Sequence, residues 1–255
     1  MITFEAKIQD KTVRMYAEYP LKNAAGAIFN TLTKISKEAK VNIFDEKFVM
    51  GFGWSYFYTS ERKDNNGNTF YVVQTNDYKK NPFTTRTDDV TLALLVQNMQ
   101  VETVRVAGVQ PEASIFKDTI LVLKEAINSP DVYMNRTDPA KEGDSGWYFG
   151  LLNDPNEETH TSDEYQKIPA FELFKFRSEA LRVLELPVGT VAVFHNNTMT
   201  ALVDGNDQPM KFTTEEERKV LAEKQRAEFE AEVEAAKARA MEAAKAQAAQ
   251  EEKKD

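Results

Sequence analysis

Apolar and polar residues alternate along the first stretches of this chain: Ile2, Phe4, Ala6 and Ile8, then Val13, Met15 and Ala17, with Gln9-Asp10-Lys11 between the runs. A period of two puts one set of side chains on one face of a strand, so an opening hairpin is predicted. After Pro20 the period lengthens. Ala27, Ile28, Leu32 and Ile35 fall at helical spacing within Asn23 to Lys40, with Asn23 available as N-cap. Aromatic-rich runs at Phe48 to Thr59 and Thr69 to Asn76 read as strands, joined through a reversal at Asn66-Gly67. Helical spacing returns in Asp88 to Val104, capped by Thr87, and in Pro111 to Asn128, whose proline suits a first turn. Beyond Ser129-Pro130, Asp131 to Arg136 and Ser145 to Phe149 read as strands and Asn153 to Glu164 as a polar loop. Phe171 to Leu184 reads as short helical turns, and Thr190 to His195 and Met199 to Val203 as further strands.

From Thr213 the character changes. Thr214 and Glu217 form a capping-box pair, and Ala, Glu, Lys, Gln and Arg fill the rest without glycine or proline, which predicts one long helix. Its apolar marks, Val220, Leu221, Phe229, Val233 and Met241, are too sparse for a sustained heptad seam. A helix docked by its first third is expected, with self-association through residues 214–255 as the alternative. The pattern as a whole predicts an α+β fold: antiparallel sheets with helices packed on one side, followed by a long C-terminal helix. The expected divisions are an α+β unit at 1–129, a second α+β domain at 130–212 and the charged helix at 213–255.

Composition adds a boundary and a direction. There is no cysteine in the 255 residues, which excludes disulfides and thiolate metal sites. No basic leader followed by an apolar run opens the chain and no apolar stretch of membrane-spanning length occurs, so a cytoplasmic location is expected and a membrane partner is not. The net charge is -9, which argues against direct binding to nucleic acid. That charge is concentrated. Residues 131–172 hold 3 basic and 10 acidic side chains, and within Asn153 to Glu164 stand five carboxylates (Asp154, Glu157, Glu158, Asp163, Glu164) and no Lys or Arg.

Catalytic motifs are scarce. Ser145 lacks the glycine-flanked elbow of a nucleophile, and no phosphate-cradling loop occurs. His160 and His195 stand far apart without metal-ligand spacing, so no metal and no cofactor is expected. The loop carboxylates do not follow a calcium-loop pattern. They suit a field that steers a partner protein, or simply a solvated loop that aids solubility.

Three segments together resemble a known family. Asp144-Ser145-Gly146-Trp147-Tyr148-Phe149, the acidic Asn153-Asp154-Pro155-Asn156-Glu157-Glu158 and the later Leu186-Pro187-Val188-Gly189-Thr190 look like a small α+β domain of bacterial immunity proteins. That family accompanies polymorphic toxins, including those delivered by contact-dependent or type VI secretion. Val132-Tyr133-Met134-Asn135-Arg136 fits the strand before its acidic turn, and the resemblance spans about residues 130–197. It implies a non-enzymatic inhibitor whose partner is a cognate protein toxin, with Asp144, Ser145, Trp147, Tyr148, Asp154, Glu157, Glu158, Asp163 and Glu164 as the partner-binding residues. The chain departs from the pattern in its longer Thr-rich stretch, Thr159 to Ser162, and the resemblance says nothing of the amino-terminal unit or the tail. A scaffold that associates through its C-terminal helix, and an enzyme built on carboxylates, are the competing classes.

Overall fold

The computed structural model describes residues 1–39 and 41–251, with the backbone alone at 240 and 243–251. Lys40, where the first helix is expected to end, and residues 252–255 of the tail lie outside the described residues. Met1–Thr214 form one compact unit and Glu215–Asp255 a second.

The compact unit contains two six-stranded sheets. The first opens with the expected hairpin, β1 (Ile2–Ile8) and β2 (Lys11–Ala17). Gln9 and Asp10 both take positive φ, 49° and 64°, the pair of left-handed residues that a two-residue turn between twisted strands requires. Then come α1 (Lys22–Glu38), β3 (Met50–Phe52), β4 (Ser55–Lys63), β5 (Thr69–Asn76), β6 (Arg86–Thr87) and α2 (Thr91–Ala107). The sheet order is β1-β2-β5-β4-β3 with β6 on β5. The β2–β5 pair is parallel and the rest antiparallel, because α1 and the β3–β4 hairpin intervene between β2 and β5 and return the chain in the same direction. Val13, Met15 and Ala17 are buried on one face, and Ala25, Ile28 and Leu32 of α1 join the same core.

Three local expectations need correction. The run Phe48 to Thr59 is a hairpin rather than one strand: Phe52 pairs with Ser55, and Gly53 turns the chain at φ 54° where a Cβ would lie 1.0 Å from Gln97 Oε1. Neither α1 nor α2 has a side-chain cap at its N-cap residue, Leu21 or Val90, so Asn23 and Thr87 do not serve as N-caps; at α2 Asp89 Oδ1 accepts from Thr91 N at 3.0 Å instead. Pro111 to Asn128 is not a helix. It contains β7 (Thr119–Leu123) and a 3-10 turn, Lys124–Asn128. Ile120, Val122 and Leu123 are essentially fully buried and Leu121 is partly exposed, but all four are apolar, so the run lacks the alternation that would mark it as a strand.

β7 belongs to the second sheet, with β8 (Asp131–Arg136), β9 (Asp144–Leu151), β10 (Tyr165–Pro169), β11 (Val191–His195) and β12 (Thr198–Val203). Its order is β10-β7-β9-β8-β11-β12, with β7 and β9 parallel. The boundary expected at Ser129-Pro130 therefore runs through this sheet. Ile120, Val122, Val132, Met134, Trp147, Phe149, Ala192 and Phe194 fill its inner face. The 3-10 turns Ala170–Lys175 and Ser178–Val183 close that face, and α2 is tied to them by Gln100 Nε2 donating to the Leu181 carbonyl at 2.9 Å. The second unit is α3 (Glu215–Glu251), with three glutamates in its first turn and pairs such as Lys219–Glu215 at 2.7 Å and Arg226–Glu230 at 3.0 Å along it.

Candidate functional site

β9 sends alternate side chains to opposite faces, which divides the aromatic motif. Ser145, Trp147 and Phe149 point inward. Trp147 is 1% exposed and its Nε1 donates to the Leu184 carbonyl at 3.2 Å. Ser145 is 2% exposed; its hydroxyl donates to the Thr119 carbonyl at 2.8 Å and accepts from Trp147 N at 3.1 Å. These two therefore organise the interior and offer no surface. Arg136 does similar work: it is buried, Nε donates to the Ser145 carbonyl at 3.2 Å, and Nη1 reaches the carbonyls of Glu112, Leu184 and Leu186. Burial holds its pKa below the usual arginine value, against the pull of Glu112 and other carboxylates. Gly146 takes φ 74° where a Cβ would meet the Thr137 carbonyl oxygen at 2.1 Å, so the motif's glycine is required by backbone approach.

Tyr148 lies on the outer face. Its ring leans over Gly150, where an added Cβ would stand 2.5 Å from it. It packs edge-on against Tyr133 (centroids 5.6 Å) and tilted against Tyr165 (6.2 Å). Three tyrosines thus form a half-buried ladder across β8, β9 and β10. Burial, and then the neighbouring tyrosines, raise the Tyr148 hydroxyl pKa. Burial, followed by Glu157, pushes that of Tyr133 up to about 12. Leu121, 36% exposed, pairs with Tyr148 on the same face.

The acidic loop leaves β9 and folds back beside this ladder. Asn153 turns it at φ 56°. His160, expected to be an ordinary loop residue, is its organiser: Nε2 contacts Asp154 Oδ2 at 2.6 Å and Nδ1 contacts Glu164 Oε2 at 3.2 Å, with the His160 and Asp154 side chains only 6% and 5% exposed. Its ring sits edge-on to Tyr165, centroids 6.0 Å apart. Glu164 also accepts from Thr161 N at 2.6 Å, Asp163 accepts from the Thr161 hydroxyl, and Lys124 donates to the Asp163 carbonyl. Glu157 accepts from the Tyr133 hydroxyl at 3.2 Å. Glu158 is exposed. The structure thus brings the five loop carboxylates and Tyr148 to one end of the second sheet. It keeps Asp144 away from them, at the far end of β9 and about 23 Å of strand distant, where its carboxylate accepts from Gly146 N at 3.0 Å and faces Lys167 at 3.7 Å. Tyr133, Tyr165 and His160 are the members missing from the sequence-derived set; the outward register of β8 and the placement of a histidine four residues before Glu164 are the signals that mark them.

The hydrogen bond that the His160 ring donates to Asp154, with a smaller contribution from Glu164, raises the His160 pKa. The His160 contact lowers that of Asp154 first, and Thr161 N lowers that of Glu164 first. The signs fix a window. The His160 contribution is complete below the free imidazole value of about 6.5 and is lost as pH rises through its raised pKa; the carboxylate contributions are complete above their free values and are lost as pH falls through the lowered ones. A proton-detected titration of the His160 ring is expected to give a midpoint above that of a free imidazole, and a midpoint at or below it would remove the clip as the loop's anchor.

Among the described residues no group of three or more carboxylate or imidazole side chains is placed to hold a metal ion, and no helix is long and apolar enough to cross a membrane. Residues 99–204 match the model of the Imm33-like domain, an immunity-protein-like family. The match begins within α2 and takes in the whole second sheet, the tyrosine ladder and the acidic loop, leaving the first sheet and α3 outside. No curated protein and no solved structure matches the chain.

Proposed function

We propose that this protein is a non-enzymatic immunity protein that binds a cognate toxin of a polymorphic toxin system inside the producing cell and blocks its active site or its access to substrate. The observation that carries the reading is the carboxylate loop clipped in place beside a half-buried tyrosine ladder, within the span that matches the immunity-type domain. Tyrosines present broad, stiff contact area at small entropic cost. Carboxylates beside them attract a basic surface from a distance and reject an acidic one. A toxin that acts on nucleic acid has a basic active face, on which the loop carboxylates stand in for phosphates.

Glu157 and Glu158 are the two to change, because Asp154, Asp163 and Glu164 also hold the loop's shape. With both converted to glutamine, association is expected to slow roughly three- to tenfold and to lose much of its salt dependence, while dissociation changes little. Unchanged association kinetics would reject the electrostatic part of the reading. The partner itself is tested by co-purification with the product of the adjacent reading frame and by co-expression. Suppression of that product's toxicity is expected; capture of the chain alone, without rescue, would overturn the proposal.

A further inference from the structure

The pairing registers of the second sheet carry one row of outward side chains across five strands. Leu121 of β7, Tyr148 of β9, Asn135 of β8, Val191 of β11 and Val203 of β12 stand opposite one another in turn. The next row on the same face holds Gly150, Tyr133, Val193 and Ala201. Apart from Gly150, each of these residues keeps part of its surface in solvent, and none of them is charged. Strands spaced about 4.8 Å apart make this field roughly 19 Å wide.

A sheet face that meets only water normally carries polar and charged side chains. The first sheet does so: Arg14 pairs with Glu5 at 2.9 Å and lies over the Phe70 ring at 4.3 Å, and Arg62 pairs with Asp88 at 3.4 Å. On the second sheet the charges stand at the margin. The Asp144–Lys167 pair (3.7 Å) marks one end of the field and the His195–Asp131 pair (2.7 Å) the other. The acidic loop lies beside Tyr133, whose hydroxyl donates to Glu157 at 3.2 Å. An uncharged centre that holds tyrosines, set inside a charged rim, is the anatomy of a protein–protein interface.

We propose that this face is the docking surface for the toxin, and that the toxin brings to it a flat apolar patch bordered on one side by Lys and Arg. The patch covers the two rows and the cations meet the acidic loop. The proposal rests on the toxin reading and adds to it the footprint and the chemistry of the partner. A second copy of this chain answers the rim poorly. Asp204 and Asp207 follow β12, and beside the loop Lys124 is engaged by the Asp163 carbonyl and Lys167 by Asp144. The loop then governs how fast the partners meet, and the two rows, once desolvated, govern how slowly they part.

The test uses the full chain, methyl-labelled in a deuterated background, and its complex with the product of the adjacent reading frame. Saturating the partner's protons is expected to attenuate the methyls of Leu121, Val191, Val193 and Val203. Attenuation confined to methyls elsewhere would overturn the footprint. Val193→Glu is expected to melt as the parent does and to release the partner at least tenfold faster with association little changed, since the new carboxylate only adds to the acidic field. Ala201→Gln adds bulk without charge and is expected to act in the same direction, whereas Thr3→Glu, on the first sheet, is expected to change neither rate. Parent kinetics in both second-sheet variants would refute the proposal. A parent chain that suppresses toxicity while those variants bind as it does leaves the toxin reading standing and removes the docking face; a parent chain that neither suppresses nor co-purifies removes both. Sedimentation of the chain alone is expected to give a monomer, and a dimer whose cross-saturation falls on the same methyls would assign the face to a second copy and overturn the proposal.

Discussion

Replacing Trp147 with alanine is expected to destabilise the compact unit by about 3–5 kcal/mol, the cost of emptying a large, fully enclosed aromatic site. The indole is 1% exposed, sits on the inner face of β9 and bonds the Leu184 carbonyl. The loss is therefore a cavity together with an acceptor left dry. Trp147→Phe keeps most of the volume and is expected to lose a smaller part of that total. Urea unfolding followed by circular dichroism measures both. A stability change below about 1 kcal/mol in the alanine variant, accompanied by loss of toxin binding, would return Trp147 to the partner-binding surface.

Arg136→Met is the second large effect, expected at about 2–4 kcal/mol. The guanidinium bonds four backbone carbonyls, those of Glu112, Ser145, Leu184 and Leu186, and an acceptor stranded in the interior costs about 1–3 kcal/mol. Removing a buried charge refunds part of this, so the total falls below the sum of the bonds. The loss also has an address. Gly189 N donates to the Arg136 carbonyl at 2.8 Å and Arg136 N to the Thr190 carbonyl at 3.0 Å, so hydrogen exchange in Leu184–Thr190 is expected to accelerate before the rest of the second sheet. Uniform exchange across the sheet would mean that other contacts hold that segment.

Strands with one wet face were readable because their period of two survives in the sequence: the residues assigned to β1, β2, β8, β11 and β12 match the observed ranges within a residue or so. β7 was not readable. Its outward Leu121 is as apolar as its inward Ile120 and Val122, so Thr119-Ile120-Leu121-Val122-Leu123 carries no alternation, and the proline upstream invited a helix. β10 was hidden for a different reason. Tyr165–Pro169 pairs with β7 alone, and a short edge strand is defined by its neighbour more than by its own residues. In the candidate site, the carboxylates of the loop were legible as composition. Their arrangement was not, because the clip depends on His160 meeting Asp154 and Glu164 from opposite sides. The motif Ser145-Gly146-Trp147-Tyr148 was legible as a strand, but only the sheet decides that Tyr148 faces outward while Ser145 and Trp147 face in.

The order β10-β7-β9 sets a generous allowance for change. The chain leaves β9 at Leu151 and re-enters at Tyr165 in β10, two strand positions away, a gap of about 10 Å across the end of β7. Leu152–Glu164 is far longer than that gap needs. Both anchors are fixed by ladders on either side of β7, and the cost of lengthening or shortening a surface connection grows only slowly with its length. The segment can therefore be rewritten, in residues or in number, while the sheet beneath it stays intact. On the proposed function this segment is the replaceable part, and its exchange between related chains is expected to carry specificity with it and leave stability behind.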